Sequence, residues 1–352
     1  MLRARVSRIS VPSRVGFSVL VAGVVMVLAG QRVARADQTA KVDRPAELRL
    51  DFATYNPSSL VLKKFGWLDK DLQADGVAVR WLFSAGSNKA NELLSSNSAD
   101  FASTAGAAAL LARANGVPHK TIYVYSRPEW TQLIVPASSP LKTVADLKGK
   151  KLAATRGTDP FILALRALHA SGLSSKDVEL VNLQHSDGYI AWQRGNVDAW
   201  AGLDPFLASA LLKDKARVLY RNVDFNSFGT LNAREGFLTR YPRYAERVIE
   251  NYERARLWIL AHPAETAAIL ADAAKLEPGI AANQLGERTS LKPADGVGIP
   301  GPLLKKALQG AIPVLVEEKI VKPGTDPLKA LDELIDPSFA SRAIKSGAVA
   351  GK

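Results

Sequence analysis

The chain has 352 residues, enough for two domains or lobes, and its 47% hydrophobic and 23% charged residues are the balance of a soluble globular protein. It has no cysteine, which excludes disulfides, thiolate catalysis, cysteine metal sites and a lipid-anchored amino-terminal cysteine. Of the formal net charge of +12, six units come from arginines within residues 1–36, so the remainder carries +6, with no basic block carrying interleaved aromatics; nucleic-acid binding is not expected.

Residues 1–36 read as a targeting segment. Arg3, Arg5, Arg8 and Arg14 form a basic start, and Val15 to Gly30 is an uncharged apolar run too short for a comfortable membrane span. Ala34-Arg35-Ala36 supplies a small-residue cleavage site, so cleavage is expected near Ala36, with no membrane insertion afterwards. Asp37 to Pro45 is a polar leader. Strand is expected at Glu47–Phe52, and helix at Leu60–Phe65, closed by Gly66. Trp67–Leu72 reads as irregular or a short helical turn. A strand over Val77–Phe83 leads through a Gly86-containing loop into a helix that Ser87 is expected to cap. Asp100–Ser103 is a short strand, Ala107–Ala114 an alanine-rich helix and Lys120–Tyr125 a fourth strand. This alternation predicts a mostly parallel sheet flanked by helices. The ligand crevice of such a sheet lies beyond the carboxyl ends of its strands, at Tyr55–Ser59, Gly86–Asn88 and Ser103–Gly106.

Ser126 to Glu129 reads as a crossing between lobes. A second βα series follows, with strands at Gln132–Val135, Lys151–Ala154, Val178–Leu183, Val197–Gly202 and Arg217–Tyr220. Thr143 and Asp146 form a capping-box-like start to a short helix. Thr155 to Phe161 is a strand–glycine turn–helix unit in which Thr158 or Asp159 can cap and Pro160 suits the first turn. Such a helix start carries unpaired N–H groups and partial positive charge, and it can hold an oxyanion; an ordinary capped helix reads the same way. Helix is expected at His185–Gly195 and after Leu203-Asp204-Pro205. Phe225 to Leu231 crosses back. The tail is helical, best at Tyr244–Ala261, Pro263–Ala274, Pro302–Glu318, Pro327–Ile335 and Ser338–Ile344. The four histidines have no metal-ligand spacing between them, and neither metal nor cofactor is expected.

Two segments carry a resemblance. Lys142-Thr143-Val144-Ala145-Asp146-Leu147-Lys148-Gly149-Lys150 resembles the K-T-V-x-D-L-K-G-K segment of periplasmic substrate-binding proteins of ABC importers. Gln193 to Phe206, with Gly195, Val197-Asp198-Ala199-Trp200 and Asp204-Pro205, is similar to the Q-x-G-x-V-D-A-W-x-x-W-D-P segment of the aliphatic-sulfonate binders, relatives of taurine, nitrate and thiamin-pyrimidine binders. The resemblance runs from about Leu48 to Leu231 and more loosely through the tail. It implies a two-lobed α/β periplasmic binding protein of type II: two crossovers, a helical carboxyl-terminal tail and closure on ligand. The expected divisions are 1–36 targeting segment, 46–126 first lobe, 127–227 second lobe, and 228–346 return to the first lobe. Leu203 stands where the family segment has tryptophan, and Trp130 or Phe161 are candidate substitutes for that aromatic wall.

The resemblance further implies a monomer in the periplasm that delivers a small anion to ABC permease transmembrane subunits and catalyses nothing. Donors to a sulfonate head group are expected from Gly86, Ser87, Thr104, Ala105, Gly157 and Thr158. Tyr55 and Asn56 either line the wall or form a plain turn. Asp204 either meets a ligand ammonium, as in taurine, or caps the next helix. Arg127 and Glu129 are hinge candidates or solvated surface. The enzyme alternatives lack support: the pyrimidine-forming enzyme of this fold family uses a cysteine-rich motif, and no G-x-S-x-G is present.

Overall fold

The structure is a computed structural model that describes residues 43–345; the targeting segment read over residues 1–36 lies outside the described residues. Eleven strands are described: β1 (Glu47–Phe52), β2 (Ala78–Phe83), β3 (Phe101–Ala105), β4 (His119–Pro128), β5 (Thr131–Val135), β6 (Lys151–Ala153), β7 (Glu179–Val181), β8 (Ala199–Leu203), β9 (Arg217–Tyr220), β10 (Gly229–Arg234) and β11 (Thr289–Ser290). They form two sheets, ordered β11-β4-β10-β3-β1-β2 and β7-β6-β8-β5-β9, each flanked by helices in a two-lobed arrangement.

Strand order follows from how the chain enters each sheet. β2, β1 and β3 are parallel because helices carry the chain back between them, and the same holds for β7, β6 and β8. Besides the two-residue edge strand β11, which runs antiparallel to β4, β5 and β10 are reversed: β5 runs antiparallel to β8 and β9, and β10 antiparallel to β3 and β4. Each is the first strand after a crossing from the other sheet, so no helix returns the chain to the starting end and the strand runs opposite to its neighbours. Interior strands β3 and β8 are buried at every position, which is why Phe101-Ala102-Ser103-Thr104-Ala105 and Ala199-Trp200-Ala201-Gly202-Leu203 lack polar alternation.

The tail packs onto the first sheet through helix Pro242–Ala261, whose buried face includes Tyr244, Ala245, Val248, Ile249, Tyr252, Ala255 and Ile259. These fall at helical spacing, and full burial of Val248 and Ile249 contributes roughly 1.5–3 kcal/mol each. The single helix expected over Pro302–Glu318 is two, Pro302–Gln309 and Ile312–Glu317. Pro313 lacks an N–H and would collide with the carbonyl four residues earlier, so it is tolerated only in the first turn of a new helix. Trp67–Gln73, Glu235–Arg240 and Pro278–Glu287 are also helical. Among the described residues no helix is long and apolar enough to cross a membrane.

Candidate functional site

Loops beyond the carboxyl ends of the two sheets meet each other. A Cβ built on Gly86, after β2, would lie 2.8 Å from His185 Nε2, which follows β7. One built on Gly157, after β6, would lie 3.6 Å from Asn88 Cβ. Tyr55, after β1, stands edge-on to Trp130 with ring centroids 6.1 Å apart, and its hydroxyl donates to Ser103 O at 3.0 Å. Tyr55, Gly86, Ser87, Gly157 and Thr158 are therefore brought to one junction. Thr104 and Ala105 sit just behind Ser87.

Five helices start at this junction, and their ends are treated differently. Helix Pro57–Phe65 is capped by Asn56, whose Oδ1 accepts from Ser59 N at 3.2 Å while its Nδ2 donates to Tyr252 Oη at 3.3 Å. Helix Gly106–Ala114 is closed by the returning crossover: Gly106 N donates to Ser227 O at 3.1 Å, and Ala107 N to Ser227 Oγ at 2.8 Å. Helices Ser87–Ser95 and Asp159–Ala170 have no side-chain cap. Ser87 is the first helical residue, not the cap, and its Oγ accepts from Ala105 N at 2.9 Å, keeping its own hydrogen to give. The Thr158 hydroxyl turns back to Thr155 O at 2.6 Å. Asp159 turns away too, accepting from Ser227 N at 2.8 Å, Ser227 Oγ at 2.5 Å and Trp130 Nε1 at 2.9 Å. Helix starts without a side-chain cap thus meet across the junction from both sheets: Ser87–Ser95 from the first, Asp159–Ala170 and His185–Gln193 from the second.

Residues 71–266, more than half of the chain, match the NMT1/THI5-like family. The chain belongs to that family. A protein of Escherichia coli (strain K12) named as an aliphatic sulfonates-binding protein is 29% identical over 274 residues, covering 77% of this chain and 85% of the relative. The solved periplasmic aliphatic sulphonate binding protein SsuA of Escherichia coli superposes with a TM-score of 0.69 at 26% identity, covering 84% of this chain and 94% of that one. The alkanesulfonate-binding protein SsuA of Xanthomonas axonopodis pv. citri, solved bound to MOPS, gives a TM-score of 0.73 at 24% identity, covering 82% and 98%. The two-lobed fold expected for the chain is the fold of these structures.

In this NMT1/THI5-like chain several expected donors are spent inside the protein. Ala105 N–H goes to Ser87. The Thr104 hydroxyl donates to Ala105 O at 2.9 Å and accepts from Asn232 Nδ2 at 2.8 Å. Both polar ends of Asn56 are used inside the protein, Oδ1 as the helix cap and Nδ2 on Tyr252 Oη. Asp204 Oδ1 accepts from Ala208 N at 3.0 Å, in the first turn of helix Phe206–Leu212, and from Arg288 Nη2 at 2.6 Å. Burial pushes Asp204 up to about 6, with Arg288 pulling the other way. Trp130 stands against Tyr55 in the core cluster that also holds Leu203, whereas Phe161 is buried in a separate core cluster. Arg127 lies 4.0 Å from Asp224, and Glu129 is buried in a pair with Arg221 at the crossover.

Other residues of this family member escaped the sequence reading. His185 is 2% exposed, and its Nδ1 lies 3.1 Å from Thr155 Oγ1. Because Thr155 gives its hydrogen to Leu183 O at 2.7 Å, it accepts from Nδ1–H. Nε2 is then a bare acceptor, buried and without a partner, and burial lowers the imidazole to about 3, so it stays neutral. Asn88 Oδ1 and Gln184 Oε1 are buried without partners as well. Asp159, which local pattern offers only as a cap, is the first helical residue and finds its partners in Trp130 and Ser227; the partners of His185 and Arg288 likewise lie in other segments, where local pattern carries no signal. Among the described residues no group of three or more His, Asp or Glu is placed to hold a metal ion.

Proposed function

We propose that this chain is a periplasmic solute-binding protein that captures an aliphatic sulfonate or similar small organic anion between its two lobes and passes it to an ABC permease. The observation that carries this reading is the meeting of uncapped helix starts from opposite sheets, Ser87–Ser95 from the first and Asp159–Ala170 and His185–Gln193 from the second. Backbone N–H groups around Gly86–Ser87 and Gly157–Thr158, with the Ser87 hydroxyl, form an anion seat of neutral donors. Thr104, Ala105 and Asn56 hold that seat in place and do not face the ligand. Tyr55 and Trp130 wall the tail. The names of the relatives supply the sulfonate class. No bond is made or broken; ligand contacts to both lobes favour the closed form, and the monomer works outside the inner membrane.

The test is a thermal-shift screen of the purified protein over alkanesulfonates, taurine, nitrate, sulfate esters and thiamin-pyrimidine precursors, followed by calorimetry. A sulfonate at one hundred times its Kd should stabilise by about 2.7 kcal/mol. If no member of the panel moves the melting temperature, the reading is wrong; if nitrate or a pyrimidine alone does, the fold is right and the ligand class is not.

A further inference from the structure

A cation is walled into the seam between the sheets. Arg288 lies between helix Pro278–Glu287 and β11, and its side chain is 9% exposed. Its carbonyl accepts from Glu129 N at 2.7 Å, which stitches it to the crossover that leaves the first sheet. On the next residue of that crossover, Trp130 O accepts from Asp204 N at 2.9 Å, at the end of β8 in the second sheet. Arg288 Nη2 reaches across to Asp204 Oδ1 at 2.6 Å. One guanidinium therefore belongs by its backbone to the first sheet and by its head to the second.

The carboxylates nearby are already engaged. Asp204 Oδ1 takes Ala208 N–H in addition to Arg288, and Glu129 is held by Arg221 and by Gln132 Nε2 at 3.0 Å. Arg288 Nε and Nη1 remain buried without a partner, and so do Thr131 Oγ1 and Gln132 Oε1 on the crossover. Charged donors left bare in a protein interior are more costly than neutral ones, so a fold that keeps them has a partner to bring.

We propose that Arg288 is a ligand-contacting residue that sets selectivity: its two free donors take oxygens of the bound anion, and its hold on Asp204 removes the seat an ammonium group would need. The inference rests on the sulfonate-binding reading and narrows it. The site takes alkanesulfonates and disfavours aminosulfonates, because an ammonium at this seam meets the guanidinium and finds the nearest carboxylate, Asp204, already paired with a cation through Oδ1.

Calorimetry of the purified protein with butanesulfonate and taurine tests this, alongside Arg288→Met and the double variant Arg288→Met/Asp204→Asn, which leaves no buried charge unpaired. The parent should bind butanesulfonate at least about tenfold more tightly than taurine, and both variants should lose about tenfold or more for butanesulfonate. In Arg288→Met the released Asp204 should narrow or invert the preference. Thermal unfolding of the double variant is expected to stay cooperative, which separates lost contact from lost fold. A double variant that keeps butanesulfonate binding within about threefold of the parent overturns the inference, since a factor of three is under 1 kcal/mol. So does a parent that prefers taurine, or variants that melt earlier while keeping the parental ratio of the two ligands. A parent that binds no alkanesulfonate refutes the sulfonate reading itself, and this inference with it.

Discussion

Gly86 shows how much one methyl group matters at the junction. Alanine there would place its Cβ 2.8 Å from His185 Nε2 and 2.9 Å from Asn88 Oδ1, so the facing loops must part. Overpacking of this kind costs about 1–3 kcal/mol, and Gly86→Ala is expected to weaken sulfonate binding by about five- to hundredfold in calorimetry. Unchanged affinity would mean that the lobes do not need this approach to hold ligand. Beneath the same loops, burial raises Asp51 to about 6, against hydrogen bonds from Ser84 and Ser103. A carboxyl whose folded value lies above its unfolded one contributes stability that is present below about 4 and lost as pH rises through about 6. His185, lowered to about 3 by burial, acts in the opposite sense: its contribution is present above about 6.5 and lost on acidification. Asp51→Asn should therefore remove a gain in stability between about pH 6 and pH 4, read from denaturant midpoints at stepped pH. An unaltered profile would place the titration on another group.

Helix ends divide into those the protein closes for itself and those it leaves open. Asn56 closes helix Pro57–Phe65 and has no polar atom left over. Asn56→Ala should cost about 1 kcal/mol of stability by denaturation while leaving ligand affinity as it was. A loss of affinity with no loss of stability would return Asn56 to the ligand wall. Ser227 has a bridging part: it accepts from Ala107 N at 2.8 Å and donates to Asp159 Oδ1 at 2.5 Å, joining a helix start of the first sheet to one of the second. Ser227→Ala strands a buried N–H and weakens the hold on a buried carboxylate, so about 1–3 kcal/mol of stability should be lost. The capping box of Thr143 and Asp146 is present as the sequence reads it, around the 3-10 turn Val144–Leu147. Caps of that sort are legible because both partners lie within one turn. Ser227's part is not, because its partners are far away in the chain.

At the scale of the molecule, two crossovers connect the two sheets. They are tied at several places: Thr131 N donates to Asn226 Oδ1 at 3.1 Å, Glu129 pairs with Arg221, and Arg127 lies 4.0 Å from Asp224. Ligand held by uncapped helix starts of both sheets should draw the protein into its closed form, so small-angle scattering of the purified protein should show a smaller radius of gyration with a saturating alkanesulfonate. No change would mean that the free protein already populates the closed form or that ligand touches one lobe only. The separation of the sheets was legible from the βα alternation and the crossing segments. The reversal of β5 and β10 was not, because strand direction depends on which edge the chain arrives at and leaves no mark in composition.

Sequence by itself determined most of the strands and helices, though not the division of Pro302–Glu318 or the helix Glu235–Arg240, as well as where glycine turns place loops at the carboxyl ends of strands and that cysteine is absent. Periodicity, caps and turns are local, so one chain suffices to read them. Tertiary structure alone decided which helix starts stay open, that Ala105 and Thr104 give their donors to the protein, and that Asp204 belongs to Arg288. Those outcomes are settled by competition among groups far apart in the chain, where a donor goes to whichever acceptor the fold brings nearest.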